Sequence, residues 1–485
     1  MRREDNDVMS APLPPWLEAF RAQLGAELVE THISWLLLAD GFAWKLKKPI
    51  TLPFLDYGSA ARRHFFCQEE LRLNRRFAPE LYLGLEAVGD SGEWAVKMRR
   101  FAESQRLDHV CARGALTPAH LSALARVVHA FHRAAATAPA ASRFGEPEQI
   151  RTPAIDNFTA IRGLRPDAAP RLDRLEAWTE TEFARIAPRM AARKAAGGIR
   201  ECHGDLHLGN LVLLHGEVIP FDCIEFNDDF RWIDVASELA FTYVDLLDHR
   251  RPDLAVWLLN EWLTESGDFD AVPVLRFYAV YKAMVRAKVA AFAGQPDTTD
   301  DYLAQAARLT APTRPRLVIT HGLSGSGKSS LSAELLRADP HAATLRLRSD
   351  VERKRLYGLP PLASSRSCVA GGIYTPEATR RTYARLTEVA GQILDAGWSV
   401  IVDAAFLQRD ERRSFAELAQ RHGADFAILA CTAPLDELRS RLRARRNDPS
   451  EATVEVLERQ LEWIEELDTD EQAHVIPPPQ RREPT

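Results

Sequence analysis

His321-Gly322-Leu323-Ser324-Gly325-Ser326-Gly327-Lys328-Ser329 is the stretch from which the rest of the chain is read. Arg316 to Thr320, just before it, is apolar and β-branched, as a buried parallel strand requires, and Ser330 to Arg337 after it reads as a helix. Strand, glycine loop and helix in that order make a phosphate cradle. Gly322, Gly325 and Gly327 permit positive φ and close approach, so the backbone N–H groups of the loop, those of Leu323, Ser324 and Ser326 included, turn inward at a helix N-terminus whose dipole favours anions. Lys328 is placed to reach the β- and γ-phosphates of ATP, and Ser329 supplies the hydroxyl that a Mg²⁺ ion bridging those phosphates needs. The competing reading, a glycine-rich connector, does not explain why G-x-x-x-x-G-K-S falls between a strand and a helix.

Composition sets the frame around that loop. A chain of 485 residues exceeds what one hydrophobic core supports, so two or three domains are expected. Hydrophobic content of 46% with 27% charged residues is that of a globular protein, and 62 basic against 68 acidic residues leave −6, which argues against a general polyanion-binding surface. The six cysteines, Cys67, Cys111, Cys202, Cys223, Cys368 and Cys431, are scattered without a C-x-x-C, so neither zinc knuckle nor disulfide framework is expected and they read as reduced thiols. No apolar run reaches the ~20 residues of a membrane span, and Met1 to Pro15 lacks a secretory apolar core, so a cytoplasmic location and no membrane partner are expected.

In the first half, Thr31 to Leu38 and Phe42 to Lys47 flank Ala39-Asp40-Gly41 as a β-hairpin. Alternation puts Lys45 and Lys47 on one face, opposite Trp44 and Leu46, where either could point at a phosphate; solubilising lysines on an exposed edge strand are the alternative. Ala60 to Phe77 is predicted helical, with Glu69-Glu70 among its arginines, so an ion pair between this helix and the lysine strand is expected. Farther on, Cys202-His203-Gly204-Asp205-Leu206-His207-Leu208-Gly209-Asn210 lies on a loop running into a strand, and Asp222-Cys223-Ile224-Glu225-Phe226 closes the next one. Transfer of a phosphoryl group from MgATP to a hydroxyl needs one carboxylate to orient the hydroxyl and take its proton, and other oxygen ligands to hold Mg²⁺. Asp205 fits the first role, Asn210 and Asp222 the second, and the D-x-x-x-x-N spacing equals that of a kinase catalytic loop. A histidine-rich turn, or a zinc site on His203, Asp205 and His207, is the alternative; zinc would leave Asn210 and Asp222 without roles.

These residues, with Thr31-His32-Ile33-Ser34, Trp44-Lys45-Leu46-Lys47-Lys48-Pro49, Phe54-Leu55-Asp56, Glu70 to Arg75 and Arg231 to Ala236, resemble the aminoglycoside-phosphotransferase-like branch of the protein-kinase fold, in the predicted-kinase family whose members carry a fused P-loop domain. The resemblance implies an α+β protein-kinase-like domain over residues 1–310 and an α/β P-loop NTPase domain with a parallel sheet over 311–485. It also implies Lys45, with Lys47 as runner-up, on the ATP phosphates, Glu70 holding that lysine, Asp205 as base, and Asn210 and Asp222 on Mg²⁺. The chain departs from the pattern in one place: no G-x-G-x-x-G loop lies between the first two strands, so Thr31 to Gly41 must cover the phosphates differently.

Beyond the P-loop, strands and helices alternate as a parallel α/β sheet requires. Val400-Ile401-Val402-Asp403 is a Walker-B-like strand whose Asp403 is placed to hold magnesium-bound water. Asp350 and Arg353 follow the second strand at the carboxyl edge where such sheets bind ligands, as candidate base and substrate clamp. Arg441 and Arg445, four apart on a helix, resemble the lid arginines of small P-loop kinases such as gluconate kinases; salt-bridging to Asp436 and Glu437 is the alternative. Lys282 and Arg286 share a face of the helix Phe277 to Phe292 and suit an anionic or sugar-like substrate if that face meets the site, and a solvated helix face if it does not. Gln295 to Pro315 reads as the bridge between domains. The expected function is ATP-dependent phosphorylation of a small-molecule hydroxyl. The rivals are a nucleic-acid 5′-hydroxyl kinase, which the absence of a basic-aromatic stripe disfavours, and an N-terminal half that binds ATP without turnover. The sequence names no acceptor and no oligomeric state.

Overall fold

The computed structural model describes residues 12–365, 367, 371–446 and 448–479. Cys368, read above as a reduced thiol, and most of the Met1 to Pro15 segment lie outside them. The chain divides into two compact units, one of residues 12–115 with 201–233, the other of 116–200 with 234–479.

The first unit is built on a five-stranded antiparallel sheet in the order Glu27–Glu30, Ser34–Ala39, Phe42–Lys47, Trp94–Arg99, Tyr82–Ala87. The hairpin pairs Leu37 with Trp44 and Leu36 with Lys45, so the alternation read from the sequence is the alternation of the sheet. On one face Trp35, Leu37, Trp44, Leu46 and Ala95 pack against Leu17 and Phe20 of the helix Pro15–Leu24. On the other the helix Ala60–Asn74 brings Cys67 against Tyr82, Val96 and Val212. The second short sheet of this unit, Leu211–Leu214 with Glu217–Pro220, turns at His215 and Gly216, both left-handed.

The second unit joins a helical layer to a parallel sheet in the order Thr344–Arg348, Ser399–Asp403, Arg316–His321, Asp425–Ala430, Val475–Ile476. Every pairing is parallel, and the strand that feeds the glycine loop is central. Helices Val235–Asp248 and Val272–Phe292 are apolar on nearly all sides and correspondingly buried. Asn260, on the helix Pro252–Ser266, closes the free edge of the sheet: its Oδ1 accepts the Arg346 N–H at 2.6 Å and its Nδ2 donates to Thr344 O at 3.3 Å. The stretch read as a bridge is mostly a helix, Pro296–Thr310, leaving only residues 311–315 as connector. Its Gln-Pro-Asp opening reads equally as turn chemistry or as a helix start with proline at its first position, and burial of Tyr302, Leu303 and Ala306 decides for the helix. No helix among the described residues is long and apolar enough to cross a membrane.

Candidate functional site

In the first unit, Lys45 and Lys47 leave the same face of their strand and meet one carboxylate. The helix Ala60–Asn74 starts at Ser59, whose Oγ accepts the Arg62 N–H at 3.3 Å, and holds Glu70 fully buried. Glu70 Oε1 lies 2.9 Å from Lys45 Nζ, and Oε2 2.7 Å from Lys47 Nζ. Lys45 also donates to Asp222 at 2.5 Å. Lys47 is enclosed further by Tyr57 Oη at 3.2 Å and by Glu225, to which the Tyr57 hydroxyl also donates. Burial opposes the charge on Lys45, but Asp222 and Glu70 outweigh it and hold its pKa well above the lysine value. Burial likewise opposes the charge on Glu70, and Lys45 and Lys47 together hold its carboxyl down at about 2. Lys47 is the more buried of the two lysines and is consumed by Glu70 and Glu225; Lys45, with its link to half-exposed Asp222, is the one facing outward.

The loop carrying Asp205 is fixed from within. Gly204 has φ +91°, and a Cβ there would lie 2.7 Å from Phe230 O, so glycine is required by both conformation and space. Fully buried His203 donates from Nε2 to Phe221 O at 2.8 Å, while its Nδ1 accepts the Asp205 N–H at 3.3 Å. Both ring nitrogens are thus engaged with backbone, which removes His203 from the alternative zinc set. Asn210 Nδ2 donates to Asp205 O at 3.0 Å and to its Oδ2 at 3.1 Å. Asn210 O accepts the Phe221 N–H at 3.0 Å, so one hairpin spaces Asn210 from Asp222. Asp222 itself is left-handed at φ +64°, held by its N–H to Tyr82 Oη at 3.0 Å and by Asn74 Oδ1, which accepts the Cys223 N–H at 2.9 Å. A non-glycine residue kept in that conformation by two neighbours is aimed by them.

In the second unit the glycine loop opens onto a cavity of about 1200 Å³. Gly322 has φ +149°, and a Cβ there would fall 2.2 Å from Cys431 O, so no other residue fits. Gly327, at φ +89°, starts the helix Lys328–Arg337. Lys328 Nζ donates to Gly322 O at 2.8 Å and Leu323 O at 2.7 Å, folding its charge back over its own loop, and burial pulls its pKa below the lysine value. Ser326 Oγ is buried with no hydrogen-bond partner among the described residues. Asp403, at the end of Ser399–Asp403, accepts from Ser332 Oγ at 3.2 Å and lies 3.7 Å from Arg348 Nε. The Gly322, Ser324 and Ser326 N–H groups, the last two expected to turn inward, instead donate to Ala405 O, Gln460 Oε1 and Leu323 O, while the loop lines the cavity with the Lys328 ammonium and the orphaned Ser326 hydroxyl, donors that suit a polyphosphate.

Asp350, Arg353, Arg441 and Arg445 all line that cavity. Arg353 donates to Ile373 O at 3.1 Å and Thr379 Oγ1 at 3.2 Å; Arg441 donates to Gly325 O at 3.2 Å and pairs with Glu437. Arg445 Nη1 is buried with no hydrogen-bond partner among the described residues. Lys282 and Arg286 are elsewhere: Lys282 is buried with its ammonium 4.8 Å from the Phe241 ring centre, and Arg286 donates to Tyr302 Oη at 3.1 Å. Neither lines the cavity of the glycine loop. Two side chains that sequence reasoning passed over do touch the loop. Arg348 Nη2 is 3.5 Å from Ser329 Oγ, and Gln460 Oε1 accepts the Ser324 N–H at 2.8 Å. Each arrives from an element remote in sequence, so no local motif announces it; Glu225 and Tyr57 were missed for the same reason.

Comparison with known proteins adds the following. Residues 317–467 match the model of an AAA domain family. Uncharacterized proteins of Mycobacterium tuberculosis and Mycobacterium bovis are 29% identical to this chain over 453 residues, covering 90% of it and 90% of theirs. Among solved structures the chain is similar to the GDP complex of aminoglycoside 2′-phosphotransferase-IIIa, at 13% identity, 61% of this chain and 97% of that one, with a TM-score of 0.39. It is similar to a choline/ethanolamine kinase family protein from Mesorhizobium loti at 12% identity, 61% and 94% coverage, and a TM-score of 0.34. The APS kinase of Mycobacterium tuberculosis in complex with AMPPNP and APS gives 25% identity, 27% and 69% coverage, and a TM-score of 0.22. The glycine loop of the matched segment 317–467 follows the central strand of a parallel sheet, the arrangement a P-loop domain requires.

Proposed function

We propose that the chain is a cytoplasmic ATP-dependent phosphotransferase that moves the γ-phosphoryl group of ATP to the hydroxyl of a small molecule, with one ATP–Mg²⁺ site in residues 1–310 and another in 311–485. The observation that carries this reading is Lys45, held between buried Glu70 and Asp222, with the hairpin of Leu211–Leu214 and Glu217–Pro220 joining Asp222 to the Asp205–Asn210 hydrogen bond. A cation aimed at phosphates, hard oxygen ligands and a carboxylate positioned by Asn210 are the parts that phosphoryl transfer needs. Asn210 and Asp222 would hold Mg²⁺ in the first site, Ser329 and Asp403 in the second; oxygen donors suit that ion, and once bound it neutralises charge between the phosphates. Asp205 orients the acceptor hydroxyl and accepts its proton as the bond from phosphorus to the departing ADP oxygen breaks. Asp350 has the corresponding place in the P-loop domain, where Arg353 clamps the acceptor and Arg441 and Arg445 offset the charge of the transferring group.

The test follows ADP release across a panel of hydroxylated metabolites and a 5′-hydroxyl oligonucleotide, with the full chain and its Asp205→Asn and Lys328→Ala variants. Acceptor-dependent ADP release that one of the two substitutions removes is expected. Release that survives both would overturn the proposal. A second reading, an N-terminal half that binds ATP without turnover, has one observation behind it: Asp222 already neutralises Lys45 in a domain without a glycine-rich loop. It predicts ATP binding in the Lys328→Ala chain with no acceptor-dependent ADP release.

A further inference from the structure

A second cavity, of about 240 Å³, lies within the second unit and outside both sites described. Its walls come from three elements: His129 and Arg133 of the helix Pro118–Ala134, Glu265 at the end of Pro252–Ser266, and Val351 and Arg355 of the helix Ser349–Leu356, with Pro360 beyond. The side chains of Arg133, His129 and Glu265 make no hydrogen bond or ion pair among the described residues, Arg133 being exposed and the other two half-buried. Arg355 is spent in part on the last carbonyls of Pro252–Ser266, donating to Thr264 O at 2.7 Å, and its buried Nε, which has no hydrogen-bond partner among the described residues, lies 3.4 Å from Glu352 Oε1. A pocket whose polar lining is unsatisfied by the protein is complementary to a polar ligand. Within the lining two guanidinium groups stand against the single carboxyl of Glu265, and the volume admits a molecule somewhat larger than phosphate. Burial raises the pKa of Glu265 and lowers that of His129, so the cavity works against the charge on both groups.

The helix Ser349–Leu356 gives the cavity a consequence. Val351 and Arg355, four apart, face it, while Asp350 and Arg353, three apart, line the cavity of the glycine loop. One helix of two turns thus carries opposite walls of two pockets. We propose that the smaller cavity is an effector site for a small oxyanion, a phosphate ester or carboxylate, which engages Arg133 and Arg355 and through the helix Ser349–Leu356 sets the position of Asp350 and Arg353. Differential contact is the source of the coupling: an anion that draws Arg355 off the Thr264 carbonyl favours a different seat for the helix from the one seen here.

The experiment uses the full chain carrying Lys328→Ala, so that the P-loop does not compete for the probe, and titrates inorganic phosphate and glycerol 3-phosphate by calorimetry. Saturable binding of at least one is expected, weakened about tenfold or more by Arg133→Ala and strengthened by Glu265→Gln, which removes the only acid from the lining. In the chain with Lys328 intact, the same probe should shift the KM for ATP or acceptor, and Arg133→Ala should abolish that shift while leaving basal ATP hydrolysis unchanged. No saturable binding, or binding indifferent to both Arg133→Ala and Glu265→Gln, would overturn the effector site. That failure would leave the phosphotransferase reading standing, because neither residue belongs to its machinery. Binding that responds to the substitutions with no shift in KM would overturn the coupling through the helix.

Discussion

The two arrangements proposed here to bind phosphate meet one electrostatic problem with different materials. In the P-loop the cradle is backbone: positive-φ glycines, one of them unable to accept a Cβ without striking Cys431 O at 2.2 Å, fix the course of the loop before any ligand arrives. In the first unit the cradle is side chain. Two lysines share Glu70, and a network of Tyr57, Glu225 and Asp222 fixes their ends. A backbone cradle is preformed and costs little to fill, whereas Lys45 must exchange its contact with Asp222 for one with a phosphate. The difference teaches where each site is vulnerable: one to changes in shape, the other to changes in charge.

The largest effect expected from breaking the side-chain network at its reactive end is on turnover. Asp205→Asn should cut transfer by the first unit by about 10²- to 10⁴-fold while sparing ATP binding, since an oriented base acts in the transition state. Rate and binding assays on one preparation separate the two. Asp222→Asn, removing a proposed metal ligand, should instead weaken magnesium-dependent binding, and an unchanged affinity would take Asp222 out of that role.

Next in size is the stability held by Glu70. Glu70→Ala leaves two buried ammonium groups short of a partner and should destabilise by about 3–5 kcal/mol, read from urea unfolding. Its pH signature is directional. With the carboxyl at about 2 in the folded chain against an ordinary 4.5, Glu70 contributes stability that is present above about pH 4.5 and lost as pH falls toward 2, worth about 3 kcal/mol. Lys45 acts at the other end: raised above 10.5, it contributes stability present below that pH and lost as pH rises through its folded value. Glu70→Ala should flatten the acid limb. An acid limb identical to that of the unsubstituted chain would show that Glu70 does not hold these lysines.

A smaller effect sharpens the other half of the comparison. Gln460→Ala removes the acceptor for the Ser324 N–H and should loosen the P-loop by about 1–2 kcal/mol, appearing as weaker ATP binding with little change in overall melting. An increase in affinity would mean that Gln460 competes with phosphate for that N–H rather than holding the loop ready.

How much of this was readable in the residues follows the same division. The P-loop is local, so glycine spacing, strand and helix predicted the parallel sheet and its buried strand, and the structure adds that this strand is central and that Asp350, Arg353, Arg441 and Arg445 line one cavity. The hairpin alternation put Lys45 and Lys47 on one face, and the pairing with Glu70 followed once a helix was placed behind it. What the sequence hid was tertiary. Glu225 doubles the acid around Lys47 from far along the chain, and Arg348 and Gln460 reach the glycine loop from a strand end and a late helix. Lys282 carries the spacing of a helix surface, yet its ammonium is packed against the Phe241 and Tyr281 rings, because a long aliphatic stem and a cation–π contact let lysine enter a core where its charge predicts solvent.

Two nucleotide sites of unequal readiness are expected in this chain, and calorimetric titration of ATP with Mg²⁺ into the full chain carrying Lys328→Ala separates them. The tight component should vanish, because the substitution removes the one ammonium of the backbone cradle. Weak residual binding should remain, and adding Asp222→Asn should remove it. A tight site that survives Lys328→Ala and disappears only with Asp222→Asn would contradict the account, showing that the side-chain cradle of Lys45 and Glu70 holds ATP well by itself and that the ranking of the two sites is reversed.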